Sequence, residues 1–573
     1  MTWVNYPSTS FRPLPFDRAN RGKPSRSPFP FFQLPVEVLN DVAPHIPPAD
    51  LEALALVDRD CRQLARSVQF FYVKLTYSDV SLGMLETLLA EMMLGARKES
   101  SQTLASCIRH LALDLGYPLL TETRLSQFPI LYSFFGKLPG AANAQNAYLH
   151  ALAAVIRGSL PNLHSLEWQS RLKMNTELFR SITASTARHV MINHALFHSR
   201  LGVFEFYGRP KWALESLVLD VDCLSDSTED AETIVKLMTD MLRAVSPTLQ
   251  GLFWKGARLR AYVSFGWETV AFPRLRTLRL DAVPMADYSI LTSFLSANTA
   301  ISSLEVSSLD LATIEFLASR GNIESLECFS WIHQPDSHEE EILSFLECNS
   351  QLHKLSISQP LSPSTIESRI LPTIKLDFLC LTSLQLVWDS SWIPETALSV
   401  IGTLFQLRRL WLSAGHQFGW CHSWLIDHDV ILETLQPLYQ LESLAFSRDS
   451  YKVVGHPLLD SSVENYYVNS VFPANKMFQK FLKPDERALL DSLDQNPDMS
   501  FDQARSLQIR LIKAAWERWH QEKMIDLAKV YATTFTKMKW CFIGQYPMRV
   551  DRESDTKMDI AVESASRQSN VGI

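Results

Sequence analysis

The sequence predicts an α/β solenoid, with a parallel sheet on its concave side and helices on its convex side, preceded by a small helical unit. Three observations predict it. An apolar residue followed at +3 and +5 by two more recurs eleven times between residues 108 and 446. Over the second half of that range the copies hold a nearly constant spacing, and the intervals between them carry apolar residues at helical spacing.

The copies are Ile108-Leu111-Leu113, Leu163-Leu166-Trp168, Leu214-Leu217-Leu219, Leu249-Leu252-Trp254, Leu275-Leu278-Leu280, Ile301-Leu304-Val306, Ile323-Leu326-Cys328, Leu352-Leu355-Ile357, Leu381-Leu384-Leu386, Leu407-Leu410-Leu412 and Leu441-Leu444-Phe446. From Leu249 to Leu407 the first positions lie 26, 26, 22, 29, 29 and 26 residues apart, inside or near the period of roughly 20 to 29 that marks leucine-rich repeats. Side chains alternate along a strand, so +3 and +5 share one face and give each unit two buried anchors. One such strand is not stable alone; stacking makes the sheet, and the rest of each unit returns as a helix or turn. Residues 288–298 and 339–348 have the apolar spacing of such helices.

The pattern is degenerate. The Asn or Cys expected eight residues after the first anchor is absent, with Asp222, Asp389 and Asp449 as its nearest substitutes, which predicts irregular turns. The early spacings of 55 and 51 residues leave room for insertions or for copies too divergent to read.

At 573 residues the chain exceeds one ordinary core. A formal charge of −8 gives no general attraction to phosphate backbones, so nucleic acid is not an expected partner. The eight cysteines form no C-x-x-C pair, which suits a reducing compartment, cytoplasmic or nuclear. The sequence has neither the long apolar run of a membrane helix nor a signal peptide, so no membrane association is expected.

Residues 1–29, with Arg12, Arg18, Arg21, Lys23 and Arg26 against Asp17, read as a disordered arm. Residues 30–72 form the helical unit, 73–106 a helical connector, and 107–450 the solenoid. A helical interruption follows over 451–530, in which Ser500 and Gln503 form a capping box ahead of Ala504. Residues 531–550, with Phe535, Met538, Trp540 and Phe542, resemble a terminal repeat that closes the open end. Residues 551–573 read as a second disordered tail.

Signatures of phosphate, dinucleotide, zinc-protease or serine-hydrolase sites are missing, so the chain reads as non-catalytic, with no cofactor. His416, Cys421, His422 and His428 carry zinc-type donors, but their spacing matches no metal motif.

In residues 32–70, Val38, Leu39 and Val42 share one helical face, and Leu51, Leu54, Ala55 and Val57 line a second helix from Asp50. Forty residues cannot bury all of this, so part of it wants a partner. Leu34-Pro35-Val36-Glu37-Val38-Leu39, then Ile46, then Asp50-Leu51 with Leu54, Leu56 and Val57, resembles an F-box, and Trp540 to Met548 resembles the ending of many fungal F-box proteins. The match departs at Asp58-Arg59-Asp60-Cys61, where Ser and Trp are more usual.

An F-box ahead of leucine-rich repeats resembles the substrate receptors of SCF ubiquitin ligases. The resemblance implies an adaptor whose F-box docks on the Skp-family linker that bridges to a cullin, and whose solenoid presents a protein substrate. It implies Leu34, Pro35, Val38, Leu39, Ile46, Leu51, Leu54 and Val57 as linker-facing or core positions. The alternatives are a helical cap for the solenoid and a protein-interaction scaffold with no ubiquitin link.

If the strands line the concave face, the residues at +4 and +6 point toward whatever is held. Aromatic and charged side chains among them make Phe253, Arg279, Glu305, Glu327, Phe329 and Trp411 the expected target-binding residues.

Overall fold

The computed structural model describes residues 13–23, 25, 27, 29–95, 102–116, 120–135, 144–197, 212–223, 228–255, 271–281, 283, 288–306, 311–332, 339–415, 417, 424–450, 481–492, 500–554 and 557–562. They fall into two compact units, one over Thr9–Ser319 and the other from Arg320 onward.

The first unit carries β1 (Tyr72–Leu75), β2 (His110–Leu113), β3 (Ser165–Gln169), β4 (His189–Phe197), β5 (Ser216–Cys223), β6 (Gly251–Lys255), β7 (Thr277–Asp281) and β8 (Ser303–Val306). Each pairs in parallel with the next, in sequence order. Register puts equivalent positions side by side, as in Leu252, Leu278 and Leu304. These anchors are buried, and each strand thereby covers one face of its neighbours. The sheet is a leucine-rich-repeat sheet, and helices such as Thr228–Val245 and Tyr288–Ala297 return the chain between strands.

The two long early spacings have different causes. The 51-residue gap hides β4, whose anchors Ala187, Val190 and Ile192 are buried but contain no leucine. The 55-residue gap is an insertion, holding helices Glu122–Leu125, Pro129–Phe135 and Ala144–Gly158. β1, with Val73 and Leu75 buried, starts the sheet inside the residues read as a connector.

The second unit continues with β9 (Cys328–Trp331), β10 (Lys354–Ile357), β11 (Ser383–Trp388), β12 (Arg409–Ala414), β13 (Trp424–Leu425), β14 (Ser443–Ser447), β15 (Asp449–Ser450), β16 (Trp540–Ile543), β17 (Tyr546–Ser554) and β18 (Lys557–Val562). The order β9-β10-β11-β12-β14-β16 is parallel; β17 and β18 then fold back antiparallel, and β13 pairs with β15 apart from the sheet.

Two repeats sit three residues later than the sequence pattern suggests. In β9 the anchors are Leu326, Phe329 and Trp331, since Phe329 pairs with Leu355 and Trp331 with Ile357. In β16 they are Met538, Cys541 and Ile543, with Cys541 opposite Leu444. The cause is an apolar residue three before the first anchor, Ile323 and Phe535 here, combined with an apolar one two after it, Cys328 and Trp540, so that −3, 0 and +2 imitate the 0, +3 and +5 of a repeat. With Leu326 as first anchor the spacings of 22 and 29 become 25 and 26.

Position −3 also holds the missing turn chemistry. Asn298 and Asn349 occupy it, fully buried, and each accepts the backbone N–H of the −3 residue one repeat earlier, Phe272 at 2.7 Å and Ile323 at 2.8 Å. Gln351, one residue before its anchor, donates to the Ile323 carbonyl at 2.9 Å, and Asn162 to that of Ser106 at 2.7 Å. Buried turn backbone is satisfied by side chains of the following repeat.

Two readings of disorder are corrected. In the N-terminal arm, Phe16–Ala19 is a helix and Phe16 is buried in a cluster with Ala43 and Leu64, packed by Phe31, Phe32, Val36, Leu54 and Val68. An aromatic residue that buries its ring this way anchors the chain around it despite the basic neighbours. In the C-terminal tail, β17 and β18 carry residues 551–554 and 557–562 into the sheet, with Ile560 buried. Residues 1–12, 451–480 and 563–573 lie outside the described residues.

Among the described residues the interruption contains the helices Pro484–Ser492 and Phe501–Thr534, the second much the longer. Its capping box is formed, with the Ser500 hydroxyl accepting the Gln503 backbone N–H at 3.3 Å and the Gln503 side-chain Oε1 accepting the Ser500 backbone N–H at 3.1 Å. The helix leads directly into β16. Gly544 and Gln545 then turn into β17 with both φ angles positive, the geometry of a type I′ hairpin. Asp449 accepts the Gly544 N–H at 2.7 Å and holds that turn.

Candidate functional site

The N-terminal helices are Val36–Val42, Pro48–Leu54 and Arg59–Gln69, the last capped by Asp58, whose carboxylate accepts the Cys61 N–H at 2.7 Å. The departure from the F-box pattern at Asp58 is thus a helix cap. The eight candidate residues divide. Leu39 and Leu51 are buried, Leu54 packs against the Phe16 cluster, and Ile46 is half-buried. Leu34, Pro35, Val38 and Val57 are exposed. The exposed apolar side chains measure 41 % at Leu34, 40 % at Val38, 80 % at Leu56 and 57 % at Val57.

The open face of the sheet, opposite the anchors, brings three of the six target-binding candidates together. Phe253, Arg279 and Glu305 lie in register on β6, β7 and β8. The Arg279 guanidinium sits 4.3 Å from the Phe253 ring centroid and 2.7 Å from Glu305. Arg279 is only 5 % exposed, and burial holds its pKa below the ordinary arginine range while Glu305 and Asp281 pull it back up. Its charge is used inside the fold, so the surface it offers is the half-buried rims of Phe253 and Glu305.

The other three candidates fare differently. Phe329 is not on the open face: it is the central anchor of β9, fully buried and 5.1 Å from the Phe345 ring. Glu327 precedes β9 and is exposed at the edge of the sheet, not on its face. Both corrections follow from the three-residue shift in register, which moves Ser330 and Ile332 onto the face instead. Trp411 is half-buried on β12, its indole N–H donating to Ser447 at 2.9 Å.

Sequence reasoning missed His194. A register shift in β4 between Ile192 and Ala195, with His194 at φ 56°, sets its ring 3.2 Å from Asp220, which Lys255 also approaches at 3.5 Å. A bulge leaves no mark in an apolar period. In this second row Lys255 compensates the charge of Asp220.

Among the described residues no group of three or more His, Cys, Asp or Glu could hold a metal ion. His416, Cys421 and His422 lie outside the described residues; His428 faces the Tyr531 hydroxyl at 2.8 Å. Among the described residues no helix is long and apolar enough to cross a membrane.

No family model matches the chain, and no curated protein matches it. Solved structures do. TLR13 in a complex with ssRNA13 is 16 % identical over 52 % of this chain and 40 % of its own, at a TM-score of 0.31. An internalin, InlF of Listeria monocytogenes, is 13 % identical over 56 % of this chain and 81 % of its own, at 0.23. The functional domain of InlJ from Listeria monocytogenes, which includes a cysteine ladder, is 11 % identical over 51 % and 46 %, at 0.21. This chain therefore spans less than half of the TLR13 and InlJ chains. These neighbours are leucine-rich-repeat proteins; at such scores the fold assignment rests on the repeat and strand register of this chain itself.

Proposed function

We propose that the chain is a non-catalytic substrate-recognition adaptor of an SCF-type ubiquitin ligase. The N-terminal helices dock on a Skp-family linker and through it on a cullin, and the open face of the sheet holds a target protein while an associated enzyme transfers ubiquitin. The observation that carries this reading is the division among the eight N-terminal residues. Leu39 and Leu51 supply a core, whereas Leu34, Val38 and Val57, joined by the neighbouring Leu56, leave apolar surface facing water. A cap for the solenoid has no use for that surface, since terminal repeats present a polar outer face. A docking partner does.

The coarser part of the reading, a scaffold that holds another protein, is independent of ubiquitin and is supported by the Phe253, Arg279 and Glu305 row.

The test is co-purification of the full chain with a Skp-family protein. Leu34→Asp combined with Pro35→Ala, both at exposed positions, is expected to abolish it while the circular dichroism spectrum stays unchanged. Retention of the Skp-family protein by that variant would sink the F-box reading and leave the scaffold.

A further inference from the structure

Along the edge where the chain enters β11, β12 and β14, large apolar side chains recur two residues before the first anchor. They are Leu379, Phe405 and Tyr439. All three are exposed, Phe405 by 48 % and Tyr439 by 58 %. Packing does not call for them, because the buried residues of each turn are its neighbours at −3 and 0.

Phe405 and Tyr439 share a hollow of about 540 Å³ with Arg408, Glu442 and Lys537. A second hollow of about 330 Å³ adjoins it through Glu442 and Lys537 and reaches Lys539 and Arg552. Four cations and one carboxylate thus line the two hollows, on a chain whose formal charge is −8. Glu442 accepts from Arg408 and, at 3.1 Å, from Lys539, while Lys537 donates to the neutral side chain of Gln440 at 2.6 Å. The edge remains net positive.

We propose that this edge is a docking site for an acidic linear segment of a partner protein, with carboxylates on Arg408, Lys537 and Lys539 and apolar side chains against Phe405 and Tyr439. Charge complementarity selects the acidic segment over a neutral one. The two exposed aromatics in one hollow select apolar side chains over a phosphate backbone, and Glu442, which lines both hollows, opposes a continuous polyanion. The site is distinct from the open face, whose contacts come from +4 and +6.

The experiment measures fluorescence anisotropy of a labelled peptide alternating glutamate with leucine and phenylalanine, against the full chain. Binding should weaken as salt rises. Lys537→Glu with Lys539→Glu, and separately Tyr439→Ala, should each lower affinity by about tenfold or more, while a peptide with lysine in place of glutamate should not bind. The milder pair Lys537→Gln with Lys539→Gln guards against a folding defect, with the melting temperature compared across variants. The proposal is overturned if the acidic peptide does not bind, if the variants bind it as tightly as the parent, or if a single-stranded oligonucleotide or vesicles of anionic phospholipid compete for these residues more strongly than the peptide.

Discussion

Asn349 accepts the backbone N–H of Ile323 at 2.8 Å across one full repeat, and its amide donates to the carbonyls of Gly321 at 2.8 Å and Phe345 at 2.7 Å. One fully buried side chain therefore satisfies two backbone groups of the turn before it and one carbonyl of the helix Glu339–Glu347 that leads into its own turn. Replacing it with alanine strands those groups away from water, at roughly 1 to 3 kcal/mol. Urea unfolding of Asn349→Ala should show a lower midpoint, and Asn298→Ala should repeat the effect, because Asn298 does the same for Phe272 and Phe294. An unchanged midpoint in both variants would mean that water replaces these bonds without loss.

The register of β9 sets up a reversal. Read from the pattern alone, Phe329 is a contact residue and its removal should spare the fold. In the structure it is an anchor, so Phe329→Ala should cost about 3 to 5 kcal/mol. Glu327→Ala, at an exposed edge position, should stay within about 0.5 kcal/mol of the parent. Chemical denaturation of the two variants decides the register.

These repeats show what an apolar period reveals and where it stops. The strands were legible wherever leucine filled both anchors, as at Leu278 and Leu280, since alternation follows from backbone geometry. β4 was not legible, because Val190 and Ile192 bury as well as leucine but break the visual repeat. Phase failed at Ile323 and Phe535, where Cys328 and Trp540 make position +2 apolar as well as −3 and 0. The capping box at Ser500 was legible, because two side chains three residues apart fully define it. The contact surface was half legible: in-register pairing brings Phe253, Arg279 and Glu305 together, but nothing in the sequence says that Arg279 spends its charge on Glu305.

Gly402 ends the helix Glu395–Gly402 directly against the helix His428–Leu435. A Cβ there would overlap the carbonyl oxygen of Thr434, which is backbone and cannot swing aside. Helix propensity alone predicts that alanine gains up to about 1 kcal/mol. Overpacking predicts a loss of about 1 to 3 kcal/mol, and the overlap makes it the larger effect. Thermal melting of Gly402→Ala should therefore show a drop, and a rise would mean that the two helices separate freely.

Arg279 is 5 % exposed and lies between an aromatic ring and a carboxylate, so removing it takes the guanidinium away from Glu305. Breaking a fully buried pair from one side costs about 3 to 5 kcal/mol, and less where one partner is half-buried as Glu305 is, whereas replacing both partners with apolar groups is often close to neutral. Arg279→Ala should accordingly unfold at lower denaturant than Arg279→Met combined with Glu305→Leu. A double variant as unstable as the single one would refute the idea that the loss of the guanidinium beside Glu305 carries the penalty.

His110, His164 and His189 form a row along the sheet edge, with ring centroids 6.1 and 4.7 Å apart. Burial lowers all three pKa values from 6.5, to about 3 at His110 and about 4 at His164, with Arg109 and Arg188 adding to the effect and Glu215 opposing it at the other two. His110 also places Nδ1 2.6 Å from the Ser165 hydroxyl. The folded chain thus keeps these rings neutral at a pH where the unfolded chain protonates them. Below pH 6.5 the unfolded state binds more protons, so the stability these rings contribute is complete above that value and falls as pH descends toward 4 and then 3. The denaturation midpoint should decline between about pH 7 and about pH 5, where most carboxylates remain ionised in both states. His110→Gln, which keeps a polar group near Ser165 without a titrating ring, should flatten that decline while leaving the rest of the profile in place. A slope identical to the parent's would show that the row does not set the pH dependence of the fold.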